Sequence, residues 1–153
     1  MYATEDEKWM RLALCEAEKA LALGEVPVGA VIVRGGKIVG TGFNRRECGQ
    51  NALLHAEIEA IGCACGRLQS WRLNECALFV TLEPCPMCAG AIINARIPRV
   101  VYGAPDPKAG ACGSVADLFA MPFSHGPAVS SGVLACECTA LMNGFFRRIR
   151  EKE

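Results

Sequence analysis

The pattern of hydrophobic and polar positions predicts a chain in which helices and strands alternate. A capping-box pattern at Thr4 and Glu7 marks the start of an amphipathic helix, and Gly24 marks its end. Residues 26–33 and 37–43 alternate as two strands of a hairpin that turns at residues 34–36. The predicted apolar face of the first helix consists of Trp9, Leu12, Ala13, Ala17, Ala20 and Leu21.

The second half of the chain continues this alternation. A helix near His55 is followed by a strand at 76–82, a helix from Pro86 to about Arg96 and a strand at 99–102. Residues 104–113 predict a long loop, after which Ser114 and Asp117 have the spacing to cap a short helix. The alternation implies an α/β sandwich. A final helix has an apolar face of Leu134, Cys138, Leu141, Met142, Phe145 and Ile149.

The composition is that of a globular protein. With 153 residues, 52% of them hydrophobic, the chain is expected to form one domain, residues 1–153. It has no apolar stretch of the roughly 18–20 residues that a membrane span needs, and no basic region of a signal peptide, so we expect a cytoplasmic protein without membrane association. A net charge of zero argues against non-specific nucleic-acid binding through bulk charge.

Ten cysteines need an explanation in such a protein. Without an export signal, disulfides are not expected, and free cysteine behaves as a small hydrophobic residue. Cys48 lies in a predicted loop, where we expect it to be exposed. The apolar runs that predict burial contain, among others, Cys15, Cys76, Cys112, Cys136 and Cys138.

Two short motifs have the residues and spacing of a catalytic zinc site. His55 precedes Glu57 in an H-A-E motif, and Cys85 and Cys88 form a C-x-x-C motif. The prolines on either side of Cys85 predict that a helix starts there, where the helix dipole favours thiolates. A His and two Cys leave one position of a tetrahedral zinc ion open for water. His55, Cys85 and Cys88 therefore predict one catalytic Zn²⁺, with Glu57 as the general acid and base.

A structural zinc site is the main alternative to this interpretation, and it requires a fourth protein ligand. Cys63 and Cys65 lie eight and ten residues beyond His55 on the same predicted helix. At about 1.5 Å per residue they are roughly 12–15 Å away along the helix axis, which is too far to share the ion. The spacing therefore favours the open, catalytic site.

The combination of H-A-E with P-C-x-x-C is the known signature of zinc-dependent nucleobase deaminases, for which tRNA adenosine deaminases are a standard example. The whole chain resembles the bacterial tRNA-specific adenosine deaminases. The two motifs are shared with other nucleobase deaminases, whereas the 106–114 loop and the Phe-Phe-Arg tail are typical of the tRNA enzymes. The matching runs are residues 25–31, 42–45, 55–57, 81–91, 96–104, 106–108, 110–114 and 145–148.

This resemblance implies a cytidine deaminase-like fold, a three-layer α/β/α sandwich with a five-stranded mixed sheet. It implies hydrolytic deamination of adenosine to inosine at wobble position 34 of tRNA. A zinc-bound hydroxide would attack C6, and Glu57 would shuttle protons until ammonia leaves. One zinc ion per subunit, a homodimer, and the anticodon arm of an arginine tRNA as partner are implied as well.

The resemblance also assigns further residues. Asn44 would hydrogen-bond the base, although an Asn at a strand end is often only a turn residue. Glu83 is expected to fix the loop before the cysteine helix. The other substrate-binding residues would be Val28, Ala56, Asp106 and Lys108. A phosphate-contacting surface would draw on Arg45, Arg46, Arg96, Arg99, Lys108, Arg147, Arg148 and Arg150.

Two other functions remain open from the sequence. A deaminase of free guanine or cytosine would share the zinc and Glu57 chemistry, but it would not need a loop for flanking nucleotides or a basic rim. A non-catalytic, zinc-bearing partner subunit of an RNA-editing complex could lose the acid/base, whereas Glu57 is intact here.

Overall fold

A computed structural model describes residues 3–153, so the first two residues of the predicted domain lie outside the described residues. It contains a five-stranded sheet in the order β2-β1-β3-β4-β5. The helices are α1 (Glu5–Ala22), α2 (Ala56–Leu68), α3 (Pro86–Ala95) and α4 (Ala135–Lys152). The strands are β1 (Gly29–Arg34), β2 (Lys37–Phe43), β3 (Ala77–Leu82), β4 (Arg99–Ala104) and β5 (Ala128–Ser131).

The sheet is mixed and is covered by helices on both faces. β1 runs antiparallel to β2 and β3, whereas β3, β4 and β5 are parallel to one another. Alternate residues of the central strands pack into two separate cores, as the period of a strand requires. One core joins the sheet to α2 and α3, and the other joins it to α1 and α4. The predicted three-layer sandwich with a five-stranded mixed sheet is therefore confirmed.

Three strand glycines allow the helices to approach the sheet closely. A Cβ added at Gly29 would lie 2.1 Å from the carbonyl oxygen of Ala13 in α1. Cβ atoms at Gly40 and Gly42 would lie 2.4 and 2.2 Å from backbone oxygens of α2. Gly40 and Gly42 are two residues apart, so they face the same side of β2. They let the backbone of α2 rest directly on the strand.

The predicted start and stop signals of the helices are mostly present. The capping box of Thr4 and Glu7 is formed, and Gly24 has a φ of 76° just beyond α1. The predicted apolar face of α1 was wrong at one position, because Leu12 is 37% exposed while Met10 is fully buried. Within residues 3–153, none of the helices has the length and apolarity that crossing a bilayer demands.

Two further expectations were wrong. The short helical turn at Leu118–Ala120 is capped by Asp117, not by Ser114, whose hydroxyl donates to the carboxylate of Glu83 instead. Not all apolar runs bury their cysteine: Cys15 and Cys136 are exposed on the outer sides of α1 and α4, whereas Cys48 is exposed as expected. The expected burial is found at Cys76, Cys112 and Cys138.

Candidate active site

The three predicted zinc ligands meet where two helices begin. His55 is the N-cap residue of α2, Cys85 is the N-cap residue of α3, and Cys88 lies in the first turn of α3. Neither cap side chain bonds to the backbone of its own helix. Instead, Nδ1 of His55 lies 3.6 Å from Sγ of Cys85 and 3.5 Å from Sγ of Cys88.

These separations fit a tetrahedral zinc ion. Zn–S and Zn–N bonds of about 2.3 and 2.0–2.1 Å at a tetrahedral angle place the N and S atoms about 3.6 Å apart. Thiolate and imidazole are also the donors that zinc prefers. Among the described residues, this group is the one with three or more candidate ligand atoms gathered within 4.8 Å. Cys63 and Cys65 are not part of it, as the sequence predicted.

The cysteines are prepared for metal binding by one another and by the histidine. The Cys88 thiol and His55 both hydrogen-bond to Cys85, and these contacts lower the pKa of Cys85 to about 4 despite its partial burial. The pKa of His55 is raised by the same contact with Cys85. The pKa of Cys88 is raised by its bond to Cys85 and by burial, so it keeps its proton until a metal displaces it.

Glu57 lies beside this group in the first turn of α2. Its side chain is 4% exposed, and burial raises the pKa of its carboxyl to about 7. A carboxyl with a pKa near neutrality can both accept and return a proton, as a general acid and base must. Glu57 therefore lies next to the three ligand atoms, and its role as the general acid and base stays a prediction.

A pocket of about 200 Å³ opens above these residues. Four of the five predicted substrate-binding residues line it: Val28, Asn44, Ala56 and Asp106. Lys108 does not; it lies in an adjoining groove against α4, together with Asn143, Phe146, Arg147 and Arg150. The remaining residues of the pocket lining are Val26, Arg46, His55, Glu57, Leu82, Glu83, Cys85 and Ala109.

Asn44 makes the contacts of a turn residue, and it keeps capacity to bind a ligand. Its side chain donates to the carbonyl of Val26 (3.2 Å) and accepts from the backbone N–H of Arg46 (3.1 Å), which makes it a turn residue. A primary amide has two N–H donors and two lone pairs, so half of its hydrogen-bonding capacity is left for a ligand in the pocket.

Two buried carboxylates hold the segments around the pocket. Glu83 fixes residues 106–114, because it accepts hydrogen bonds from the backbone N–H groups of Asp106, Cys112 and Ser114 and from the Ser114 hydroxyl. Burial alone would raise the pKa of Glu83, but these bonds outweigh it and the pKa is lowered. Its predicted structural role concerned the loop before α3, whereas the hydrogen bonds of its carboxylate fix the loop after β4.

Glu25 is the second of these carboxylates, and sequence reasoning assigned it no role. It is 1% exposed and accepts hydrogen bonds from the backbone N–H groups of Glu47 and Cys48, at 3.0–3.3 Å. A glutamate in the otherwise apolar run 25–31, directly before a predicted strand, was the available signal. A charged residue in a buried run requires partners.

The structure separates the basic residues into two groups. Arg99 pairs with Asp6 at the start of β4, and this end of the parallel strands is opposite to the end where the pocket opens. Arg45 pairs with Glu59, and Arg96 bonds carbonyls at the end of its own helix. Arg99 is therefore not part of the expected phosphate-contacting surface. The basic residues that line the pocket or the adjoining groove are Arg46, Lys108, Arg147 and Arg150.

A three-layer sandwich with a His-Cys-Cys group at two helix N-termini and a buried glutamate beside it defines a deaminase of the cytidine deaminase fold, a class that typically uses zinc. The sequence profile of the MafB19-like deaminases matches residues 4–150. The chain belongs to the family of the tRNA-specific adenosine deaminases. It is 47% identical to the Bacillus subtilis (strain 168) protein of that name over 98% of this chain and 94% of that protein.

Other similar proteins agree with this assignment. The tRNA-specific adenosine deaminase of Haemophilus influenzae is 47% identical over 97% of this chain and 87% of its own. A solved structure from work on A-to-I editing by tRNA:A34 deaminases has a TM-score of 0.85 and 44% identity, and the match covers 88% of this chain and 98% of that one. The guanine deaminase of Bacillus subtilis has a TM-score of 0.65 and 30% identity, over 94% and 95% of the two chains.

Proposed function

We propose that this chain converts adenosine to inosine at wobble position 34 of tRNA. In this proposal, His55, Cys85 and Cys88 hold one zinc ion per subunit, and Glu57 carries the protons. The observation that supports it is the buried Glu57, which lies beside the three ligand atoms at the pocket. The chain is also similar over nearly its full length to tRNA-specific adenosine deaminases.

The chemistry requires a water that can attack C6 of the base and a group that moves protons. Bound zinc supplies the first requirement, because it lowers the pKa of a coordinated water towards 7. Glu57 supplies the second, since a carboxyl with a pKa of about 7 can take a proton from the attacking water and give it to the ring nitrogen N1. It can then take the remaining proton of the hydroxyl newly bound to C6 and give it to the amino group, which leaves as ammonia. Its burial keeps bulk water from competing for these protons.

The walls and the rim of the pocket support a flipped-out base on an RNA strand. Val28 and Ala56 offer apolar contact to the ring, and Asn44 has a free donor and acceptor for its edge. Asp106 lines the same pocket, where it would contact the nucleotides next to the target. Lys108 and the arginines of α4 would contact the phosphates of those nucleotides. A base must leave its stack for this chemistry, so contacts to its neighbours are needed to hold the RNA.

A homodimer is part of the proposal. An apolar groove formed by α2, α3 and the turn after Asp117 leaves Leu53 57% exposed and Phe123 51% exposed. Such a patch on a small protein is typical of an interaction site, and a second copy of the chain is the partner that the family resemblance implies. An arginine tRNA and a cytoplasmic location follow from the same resemblance. The groove is lined by Leu53, Ile58, Met87, Ile93, Leu118 and Phe123, among others.

Deamination of free guanine is the second candidate function. The likeness to the Bacillus subtilis guanine deaminase favours it, because the two chains match over nearly their full lengths. The basic groove beside the pocket argues for the RNA substrate, since a free base has no phosphates.

The deciding experiment compares substrates on the zinc-loaded protein. We expect inosine, detected by mass spectrometry of digested RNA, from an anticodon stem-loop with adenosine at position 34, and none from the same RNA with adenosine only at other positions. Glu57→Gln should abolish turnover while one zinc per chain remains by elemental analysis. Rapid turnover of guanine or cytosine with no inosine in the stem-loop would reject the proposal. Loss of zinc in Glu57→Gln would show that Glu57 is a ligand.

A further inference from the structure

Two buried carboxylates take no part in the proposed chemistry, yet both contact segments that line the pocket. Glu25 binds the backbone at residues 47–48, directly after Asn44 and Arg46. Glu83 binds the backbone at residues 106, 112 and 114, and so holds the segment that contains Asp106 and Ala109. Each carboxylate lies outside the segment that it binds, and each is at most 2% exposed.

We propose that Glu25 and Glu83 are positioning residues that hold the two loops 44–48 and 106–114 in the conformation that accepts the substrate. This inference rests on the proposed function, and it assigns the two residues an effect on substrate binding. Without the carboxylates, three backbone N–H groups of the 106–114 loop and two of the 44–48 loop would lose their acceptors. The N–H of Cys112 is buried and the other four are partly buried, so the loss of their acceptors costs free energy and the loops would leave this conformation.

The two carboxylates differ in the number of hydrogen bonds that their oxygens accept. Each oxygen of Glu83 accepts two hydrogen bonds, at least one of them from a backbone N–H group. Whichever oxygen a glutamine replaces with NH₂, that NH₂ group would face an N–H donor and the hydrogen bond would be lost. At Glu25, one oxygen accepts from both Glu47 and Cys48, and the other accepts from Glu47 as well, so a glutamine can keep one bond from each amide with its single oxygen. The same substitution should therefore be more harmful at position 83 than at position 25.

The packing around Glu83 supports a rigid loop. A Cβ at Gly110 would lie 2.3 Å from Oε2 of Glu83 and 2.5 Å from the carbonyl oxygen of Asp106. The backbone of Gly110 therefore rests against the carboxylate, and the loop closes around it. A fully satisfied polar network of this kind favours one conformation over others.

The test measures substrate binding, catalysis and loop order in Glu83→Gln, Ser114→Ala, Glu25→Gln and, as a matched control, Glu18→Gln on the exposed side of α1. We expect Glu83→Gln to raise the KM for the stem-loop RNA at least about tenfold, the cost of one charge-assisted hydrogen bond, with kcat changed less than about threefold. Ser114→Ala, which removes one bond and no charge, should give a smaller increase. Glu25→Gln should raise KM by a few-fold, and Glu18→Gln should not change it.

Two further measurements separate positioning from general damage. Zinc should stay at one per chain in every variant, and amide hydrogen exchange should accelerate at residues 106, 112 and 114 in Glu83→Gln and at 47 and 48 in Glu25→Gln. A fall in kcat with unchanged KM, or a loss of zinc, would overturn the inference, as would unchanged exchange at these amides. Failure of the proposed function can be told apart, because the wild-type protein would then form no inosine. In that case the KM for guanine, measured in the same variants, would test whether the two glutamates position the loops.

Discussion

The contact between Gly42 and the first turn of α2 can be tested by adding a single methyl group. In Gly42→Ala, the new Cβ would lie 2.2 Å from the carbonyl oxygen of Ala56, whereas ordinary contact begins at 3.4 Å. The backbone of α2 must therefore move by about 1.2 Å or the strand must bend. Ala56 lies between His55 and Glu57, so the displacement falls on a zinc ligand and on the proton carrier.

The expected losses follow from this distance. Overpacking of a well-packed contact costs about 1–3 kcal/mol, which corresponds to a fall in melting temperature of roughly 2–12 °C for a chain of this size. A displacement of about 1 Å at reacting groups can reduce the rate about a hundredfold. We expect both effects in Gly42→Ala, measured as the thermal midpoint of the zinc-loaded protein and as kcat on the stem-loop RNA.

Gly62→Ala is the matched control, because it is the same substitution in α2 itself. A Cβ at Gly62 has no neighbour within 4 Å, and alanine favours the helix over glycine by about 1 kcal/mol, so this variant should be slightly more stable and fully active. Gly40→Ala should lose stability with less effect on kcat, since it meets Ala60 one turn farther along. If Gly42→Ala keeps its kcat within twofold and its melting temperature, the close contact does not position the site.

Three further predictions concern other parts of the molecule. In metal-free protein at pH 6, iodoacetamide should modify Cys85 first, because hydrogen bonds from Cys88 and His55 lower the pKa of Cys85 to about 4. Added zinc should protect Cys85 from modification, and peptide mapping that finds a different first site would contradict the prediction. Asp6→Asn should cost about 0.5–1 kcal/mol at pH 7, because a partly exposed ion pair is weak. Since Arg99 lowers the pKa of Asp6, the pair stabilises the fold above the unfolded pKa of about 3.9, and this stabilisation is lost as the pH falls through the lower folded pKa. The denaturant midpoints of the two proteins should therefore converge as the pH falls through the folded pKa. Phe123→Asp should convert a dimer to monomers in analytical ultracentrifugation, and a wild-type protein that is already monomeric would refute the dimer.

The sequence was sufficient for the elements whose signals are local. The capping box at Thr4, the hairpin turn at Gly35 and Gly36 and the proline at the start of α3 each depend on residues within a few positions of one another. The His-Cys-Cys group was also predictable, because fixed spacing within two motifs places each ligand at a helix N-terminus.

Features that depend on distant partners were not predictable. β5 is short, and its partner β4 is separated from it by a long connection, so its residues carry no pattern of their own. Ser114 and Asp117 have the spacing to cap a helix, and which of them caps it depends on Glu83, 31 residues before Ser114, which accepts a hydrogen bond from the Ser114 hydroxyl. Leu12 and Met10 lie on nearly opposite sides of α1, about 200° apart at 3.6 residues per turn, and the position of the sheet decides which side is buried.

The N-cap positions of α2 and α3 have a consequence for engineering this protein. A serine or aspartate at such a position ordinarily stabilises a helix by about 1 kcal/mol over a residue that cannot cap. Here His55 is the N-cap residue of α2 and Cys85 is that of α3, and their side chains face each other. A better N-cap residue therefore cannot be introduced at either of these two helices without losing a site residue. A more thermostable variant must therefore be sought elsewhere, for example at Gly62, where an added Cβ meets no neighbour within 4 Å.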